Sequence, residues 1–156
     1  MGIVYAPVLD RYYFAEKDKG AWRQDADNTP RLINARKADP ENLCVVASKD
    51  HAGPEVATML ERMEGASLKS MGSSLKFCLV AEGEADFYPR FVPTMEWDTA
   101  AAQCVVEAAG GKVCLEDGLP LRYQKKTLTN PSVFTIGDTK LCWMDYLNSS
   151  TIEVKT

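Results

Sequence analysis

Trp97-Asp98-Thr99-Ala100-Ala101 runs into an alanine-rich segment that stops at Gly110-Gly111, a pattern that predicts a buried helix opening on a carboxylate and ending at a glycine stop. Negative charge is favoured at such a start, because the free N–H groups and the positive end of the macrodipole attract it. Asp98 therefore either caps the helix or holds a divalent cation while the same helix end faces a bound phosphate. Taken alone it fits a cap best, since Asp is among the commonest N-cap residues; the sequence around it decides the matter.

On the N-terminal side, residues 3–8 and 11–16 are β-branched and aromatic and are joined by a short polar turn, which predicts a hairpin. Lys17-Asp18-Lys19-Gly20 then turns the chain toward Trp22. The polar stretch from Arg36 to Asn42, with Pro40 inside it, is the natural junction between residues 1–38 and a second unit over 39–156. That unit alternates strands and helices. Residues 43–48 read as a strand. Pro54 opens a helix through Met63 with Val56, Met59, Leu60 and Met63 on one face. Residues 66–70 read as a strand, 73–83 as a helix and 85–91 as a strand. The Asp98 helix and strands over 112–115 and 133–136 complete an α/β pattern. Trp143, Met144 and Tyr146 are available to cover an apolar surface.

The 156 residues suit one domain with a real core. A net charge of -4 argues against general nucleic-acid binding, which needs a basic stripe. No apolar run approaches a membrane span, and the N-terminus lacks the pattern of a secretory leader. Cys44, Cys78, Cys104, Cys114 and Cys142 form an odd set without Cys-x-x-Cys spacing, so free thiols in a reducing cytoplasm are expected rather than zinc or a disulfide framework.

Ahead of the Trp-Asp motif stands Gly72-Ser73-Ser74-Leu75-Lys76-Phe77-Cys78-Leu79-Val80-Ala81-Glu82-Gly83. The pair, with Gly2-Ile3-Val4-Tyr5-Ala6-Pro7-Val8, Gly20-Ala21-Trp22, Ser48-Lys49-Asp50-His51, Gly118-Leu119-Pro120-Leu121-Arg122-Tyr123 and Asn130-Pro131, resembles the inositol monophosphatase superfamily, and within it the CysQ-type 3'(2'),5'-bisphosphate nucleotidases. The resemblance extends over about residues 2–135. It implies an α+β layered sandwich of which this chain carries the C-terminal half, with the hairpin left over from the first domain's sheet. A hairpin that has lost its neighbours exposes a sheet edge, and self-association through that edge is expected.

The resemblance also implies Mg2+-dependent hydrolysis of a small phosphomonoester, with Mg2+ as the cofactor. Enzymes of this superfamily bind the metal mainly through an earlier Glu-Glu pair and an Asp-Pro-(Ile/Leu)-Asp-Gly-Thr loop. Neither occurs here: the only Asp-Pro, Asp39-Pro40, is followed by Glu41-Asn42, and Asp117-Gly118 falls in a predicted hairpin turn. Asp98 is then the one metal ligand carried by this chain.

Thr99 and the N–H groups that follow it are candidates to orient phosphate. Ser73 and Lys76 align with positions near the sugar and the non-scissile phosphate of the nucleotide; without the resemblance they read as an N-cap and a solvated charge. Arg90, at a strand end, offers a planar fork for phosphate or joins a surface ion pair. His51 aligns beside the nucleotide, although Asp50 departs from the Ser-x-Ser-His pattern and disfavours an anion.

Three functions follow. The resemblance implies first that the chain is part of a nucleotidase that converts adenosine 3',5'-bisphosphate to AMP and phosphate, a salvage step linked to sulfate assimilation. Alternatively, its parent acts on inositol or sugar phosphates, or the chain is a non-catalytic, self-associating fragment. A single carboxylate does not assemble a two-metal site, so little or no activity is expected of the chain alone.

Overall fold

The computed structural model describes residues 1–48 and 53–147. The predicted hairpin is half of a four-stranded antiparallel sheet, β1 (Gly2–Ala6), β2 (Arg11–Glu16), β3 (Gly20–Asp25) and β4 (Arg31–Ile33), in that order. The polar character of β3 concealed it from pattern reading. Arg23 and Asp25 are nevertheless well placed, because Asp25 pairs with both Arg11 and Arg23, and Arg23 donates to Glu82 at 2.7 Å. β1 and β4 are the free edges of this sheet.

From Cys44 onward come β5 (Cys44–Ala47), α1 (Pro54–Arg62), β6 (Ser67–Ser70), α2 (Leu75–Ala81), β7 (Phe87–Arg90), β8 (Thr94–Met95), α3 (Glu96–Ala108), β9 (Lys112–Cys114), β10 (Thr129–Asn130) and β11 (Val133–Ile136), the predicted alternation with the two-residue strands β8 and β10 added to it. Five of these strands form a mixed sheet in the order β6-β5-β7-β11-β9. β5 runs parallel to β6 and β7, while β11 runs antiparallel to β7 and β9. Pro89 lies inside β7, where a missing N–H normally breaks a central strand. It is tolerated because β7 meets β5 at the single pair Val45 and Phe87, before the proline is reached.

α2 and α3 pack on each other between the two sheets. One core cluster joins Tyr13, Ala15, Ala21 and Ile33 of the first sheet to Val80 of α2, Val105 of α3 and Val113 of β9. Contact between β1 and α3 is so close that a Cβ on Gly2 would fall 2.4 Å from the Ala101 carbonyl oxygen, a distance only glycine avoids. A second cluster on the far face of the five-stranded sheet combines Met59 of α1 with Phe87, Phe134 and Trp143. Trp143 stacks on Phe87 at 4.5 Å, so it does cover an apolar surface. The result is an α/β layered sandwich. Among the described residues no helix is long and apolar enough to cross a membrane, and the five cysteines are free thiols.

Candidate active-site cleft

A cleft of about 330 Å3 opens where the ends of β5 and β7 meet the starts of α2 and α3. Ser73, Lys76, Arg90, Asp98 and Thr99 all line it, although they come from three separate segments. His51 lies outside the described residues.

Asp98 is not the N-cap. The helix starts two residues earlier, Met95 is the N-cap, and Asp98 occupies the third helical position. From there its Oδ2 accepts the Met95 N–H at 2.8 Å, the return arm of a capping box. Its side chain is exposed, and Oδ1 has no hydrogen-bond partner among the described residues. One carboxylate thus caps the helix with one oxygen and presents the other to the cleft.

Thr99 is only 1% exposed. Its hydroxyl donates to the Glu96 carbonyl at 3.2 Å and lies within hydrogen-bond distance of Asn130 Nδ2 and the Tyr123 hydroxyl. With its one proton used on Glu96, the group has none to offer a ligand. Asn130, absent from the candidate residues, is the organiser here. Fully buried, it donates to Thr94 Oγ1, the Met95 carbonyl and Thr99 Oγ1, and accepts from Lys125. Lys125 also pairs with Glu96 at 2.6 Å and holds that carboxyl below its ordinary range.

Lys76 overturns its reading as a solvated charge, being 4% exposed. The cause is local: Ser73 sits at φ +50°, a left-handed conformation uncommon outside glycine. The ammonium donates to the carbonyls of Ser73 at 2.9 Å and Met71 at 3.3 Å. It also lies 5.2 Å from the centre of the Tyr88 ring. Two of its three N–H bonds are spent, and the third has no acceptor among the described residues. Burial, assisted by the charge of Arg90, lowers its pKa from 10.5 to about 8. Ser73 is not a cap either, since α2 starts after Ser74, and the Ser73 side chain is exposed.

Arg90 donates to the Val92 carbonyl at 3.1 Å. Among the described residues neither Arg90 nor Lys76 forms an ion pair. Two cations with no carboxylate partner among the described residues therefore share one cleft, an arrangement suited to an anion. Tyr88 also lines the cleft and was missed, although a residue two positions before Arg90 in a strand shares its face. Burial pushes its hydroxyl up to about 12, so it is a hydrogen-bond donor at neutral pH.

A divalent metal fits this cleft only in part. Mg2+ takes six oxygen ligands and uses one or two carboxylates with waters and substrate phosphates. Asp98 is the only carboxylate among the described lining residues. Among the described residues no group of three His, Cys, Asp or Glu side chains comes together. Among the described residues the cleft therefore offers a metal a single carboxylate.

A family model for the inositol monophosphatase family matches residues 1–143. The chain is 45% identical over 132 residues to the 3'(2'),5'-bisphosphate nucleotidase CysQ of Shigella flexneri, covering 84% of this chain and 52% of that protein. It is 44% identical over the same length to the CysQ of Escherichia coli K12. The crystal structure of CysQ from Bacteroides thetaiotaomicron superposes with a TM-score of 0.76 at 36% identity, covering 86% of this chain and 56% of that one. The chain thus spans about half the length of the curated relatives it matches. Fold, motifs and the cleft they build agree on one lineage: the chain belongs to the inositol monophosphatase family.

Proposed function

We propose that this chain carries the substrate-binding part of a 3'(2'),5'-bisphosphate nucleotidase, which hydrolyses adenosine 3',5'-bisphosphate to AMP and phosphate. The observation that carries this reading is the pair Lys76 and Arg90, two cations facing one cleft with no carboxylate partner among the described residues. Lys76 brings a desolvated point charge and Arg90 a planar fork, the two ways in which side chains hold phosphate oxygens. The exposed Ser73 hydroxyl adds a neutral donor at the mouth. Thr99 acts by fixing the start of α3 rather than by touching the ligand. Asp98 would offer one carboxylate oxygen to a bound Mg2+, which would supply charge neutralisation at the phosphoryl group; the described residues bring no second carboxylate to the cleft.

The identity to CysQ proteins favours the nucleotide over inositol phosphates as substrate. Because the one carboxylate among the described lining residues does not complete a two-metal centre, the chain alone binds the nucleotide without turning it over. Calorimetric titration with adenosine 3',5'-bisphosphate and with inositol 1-phosphate, beside a phosphate-release assay with and without Mg2+, tests both statements. Tighter binding of the nucleotide and no phosphate release are expected. Preference for inositol 1-phosphate would overturn the substrate assignment, and Mg2+-dependent turnover by this chain would overturn the incomplete metal centre.

A further inference from the structure

The two cations of the cleft differ in what they can become. A guanidinium stays charged at every working pH, so Arg90 is only ever a fork for an anion. Lys76 titrates. Its Nζ meets the Ser73 carbonyl at 2.9 Å and the Met71 carbonyl at 3.3 Å, with no third partner among the described residues. A neutral amine has two N–H bonds and one lone pair. It keeps both carbonyls and leaves the lone pair in the tetrahedral direction that the ammonium's remaining proton occupied. Losing that proton breaks neither contact and turns a donor into a nucleophile. Burial and a neighbouring cation are the two conditions that activate a lysine for imine formation, and both hold here. The titratable and charged side chains that line the cleft with Lys76 are Tyr88 and Arg90 of β7 and Asp98 of α3. Burial first, then the charge of Arg90, brings its pKa to about 8, so about a tenth of the side chains are neutral at pH 7.

We infer that Lys76 is a reversible covalent attachment site for a small phosphorylated aldehyde, with Arg90 holding the phosphate. The inference rests on the reading of the cleft as an anion site and adds a second class of occupant that excludes the nucleotide. The Lys76 nitrogen adds to the aldehyde carbon, the carbonyl oxygen takes up a proton, and the resulting carbinolamine loses that oxygen as water. A C=N bond replaces the C=O bond, and nothing is oxidised or reduced. In sum, an ammonium and an aldehyde give a protonated imine and water, so the charge at residue 76 is conserved. That conservation selects an aldehyde over an acylating agent. A protonated imine retains one N–H for the Ser73 carbonyl and a positive charge near the Tyr88 ring, whose centre lies 5.2 Å from Nζ. An amide would keep the N–H and forfeit the charge. The phosphate requirement comes from Arg90, which has no carboxylate partner among the described residues. The cleft, at about 330 Å3, is within the size range of small-molecule sites.

Pyridoxal 5'-phosphate is the probe, and pyridoxal is the control that lacks the phosphate. The full chain is mixed with each, reduced with borohydride and mapped by peptide mass spectrometry. Lys76 should take the label ahead of every other lysine, at a pyridoxal 5'-phosphate concentration about tenfold or more below that needed with pyridoxal. Imine formation followed by absorbance should speed up about fivefold between pH 7 and 8, as the neutral fraction grows. In Arg90→Gln the preference for the phosphorylated aldehyde should shrink to within about twofold, while Lys76 still reacts. Label spread evenly over the lysines overturns the inference, and so does a Lys76 that reacts equally with both aldehydes in the wild type. A phosphate preference that survives Arg90→Gln overturns it as well. Adenosine 3',5'-bisphosphate separates this inference from the nucleotidase reading. Labelling of Lys76 that the nucleotide does not slow removes that reading and leaves the attachment site standing. A chain that binds the nucleotide in the calorimeter but takes no label at Lys76 overturns the attachment site alone.

Discussion

Replacing Lys76 with Met keeps the length of the side chain and removes its charge, so it measures what the buried ammonium costs the fold. The pKa of 10.5 falls to about 8 in the folded chain, and that difference corresponds to about 3 kcal/mol held against the charged form. The sign is fixed by proton counting. Between about pH 8 and 10.5 the unfolded chain binds more protons than the folded one, so the wild type gains stability as pH rises through that window. Below pH 8 the full cost is present. Lys76→Met escapes it but strands the carbonyls of Met71 and Ser73, which lose their donor. A net gain of about 1–2 kcal/mol at pH 7 remains, roughly 3–6 °C in melting temperature for a chain of this size.

The assay is a pair of thermal melts, at pH 7 and near pH 10. The variant should melt higher than the wild type at pH 7, and the gap should narrow at pH 10. Adenosine 3',5'-bisphosphate should reverse the order at pH 7, because the ligand stabilises only a chain whose cation it can meet. A Lys76→Met chain that melts lower at pH 7, with a gap that does not change with pH, would refute the reasoning: the buried ammonium would then be compensated in full by the carbonyls it meets.

Wild-type affinity for the nucleotide should weaken above about pH 8 as Lys76 loses its proton, and this loss should be absent from Lys76→Met; titrations at several pH values read it directly. Asp98→Asn keeps an acceptor for the Met95 N–H and should cost less than about 1 kcal/mol in chemical denaturation, while any Mg2+-dependent gain in nucleotide affinity disappears. Asn130→Ala empties a fully buried amide that serves Thr94, Met95, Thr99 and Lys125; a loss of about 2–4 kcal/mol is expected in urea unfolding. Glu82→Ala leaves Arg23 without the carboxylate that it shares with Tyr13 and Arg31. A loss of about 3 kcal/mol in the same experiment is expected.

The elements were legible where pattern and punctuation agreed. Pro54 marked the start of α1, Gly110-Gly111 marked the end of α3, and the apolar runs of β5 and β11 stood out against polar flanks. β3 and β4 were not, because the partners that make Arg23 and Asp25 acceptable come from β2 and from the end of α2. The cleft was legible in membership but not in role. Periodicity placed Ser73 and Lys76 on one helical face, yet nothing local announces the left-handed Ser73 that turns two carbonyls onto the ammonium. Asp98 was found at the right helix end in the wrong position, since N-cap and third-position carboxylates leave nearly the same sequence signature. Asn130 was visible only as part of Asn130-Pro131, because its role depends on a chain that returns to α3 from about thirty residues away.

That returning segment contributes no side chain to the cleft, yet Lys125, Tyr123 and Asn130 decide how the first turn of α3 sits. The lining residues and the residues that set their spacing are therefore encoded in different stretches of the chain. Variation between residues 121 and 130 can retune the distance from Asp98 to the two cations while every residue that lines the cleft stays the same. Relatives with identical cleft motifs and different segments here would then differ in selectivity, and exchanging this one segment between them is a compact way to alter it.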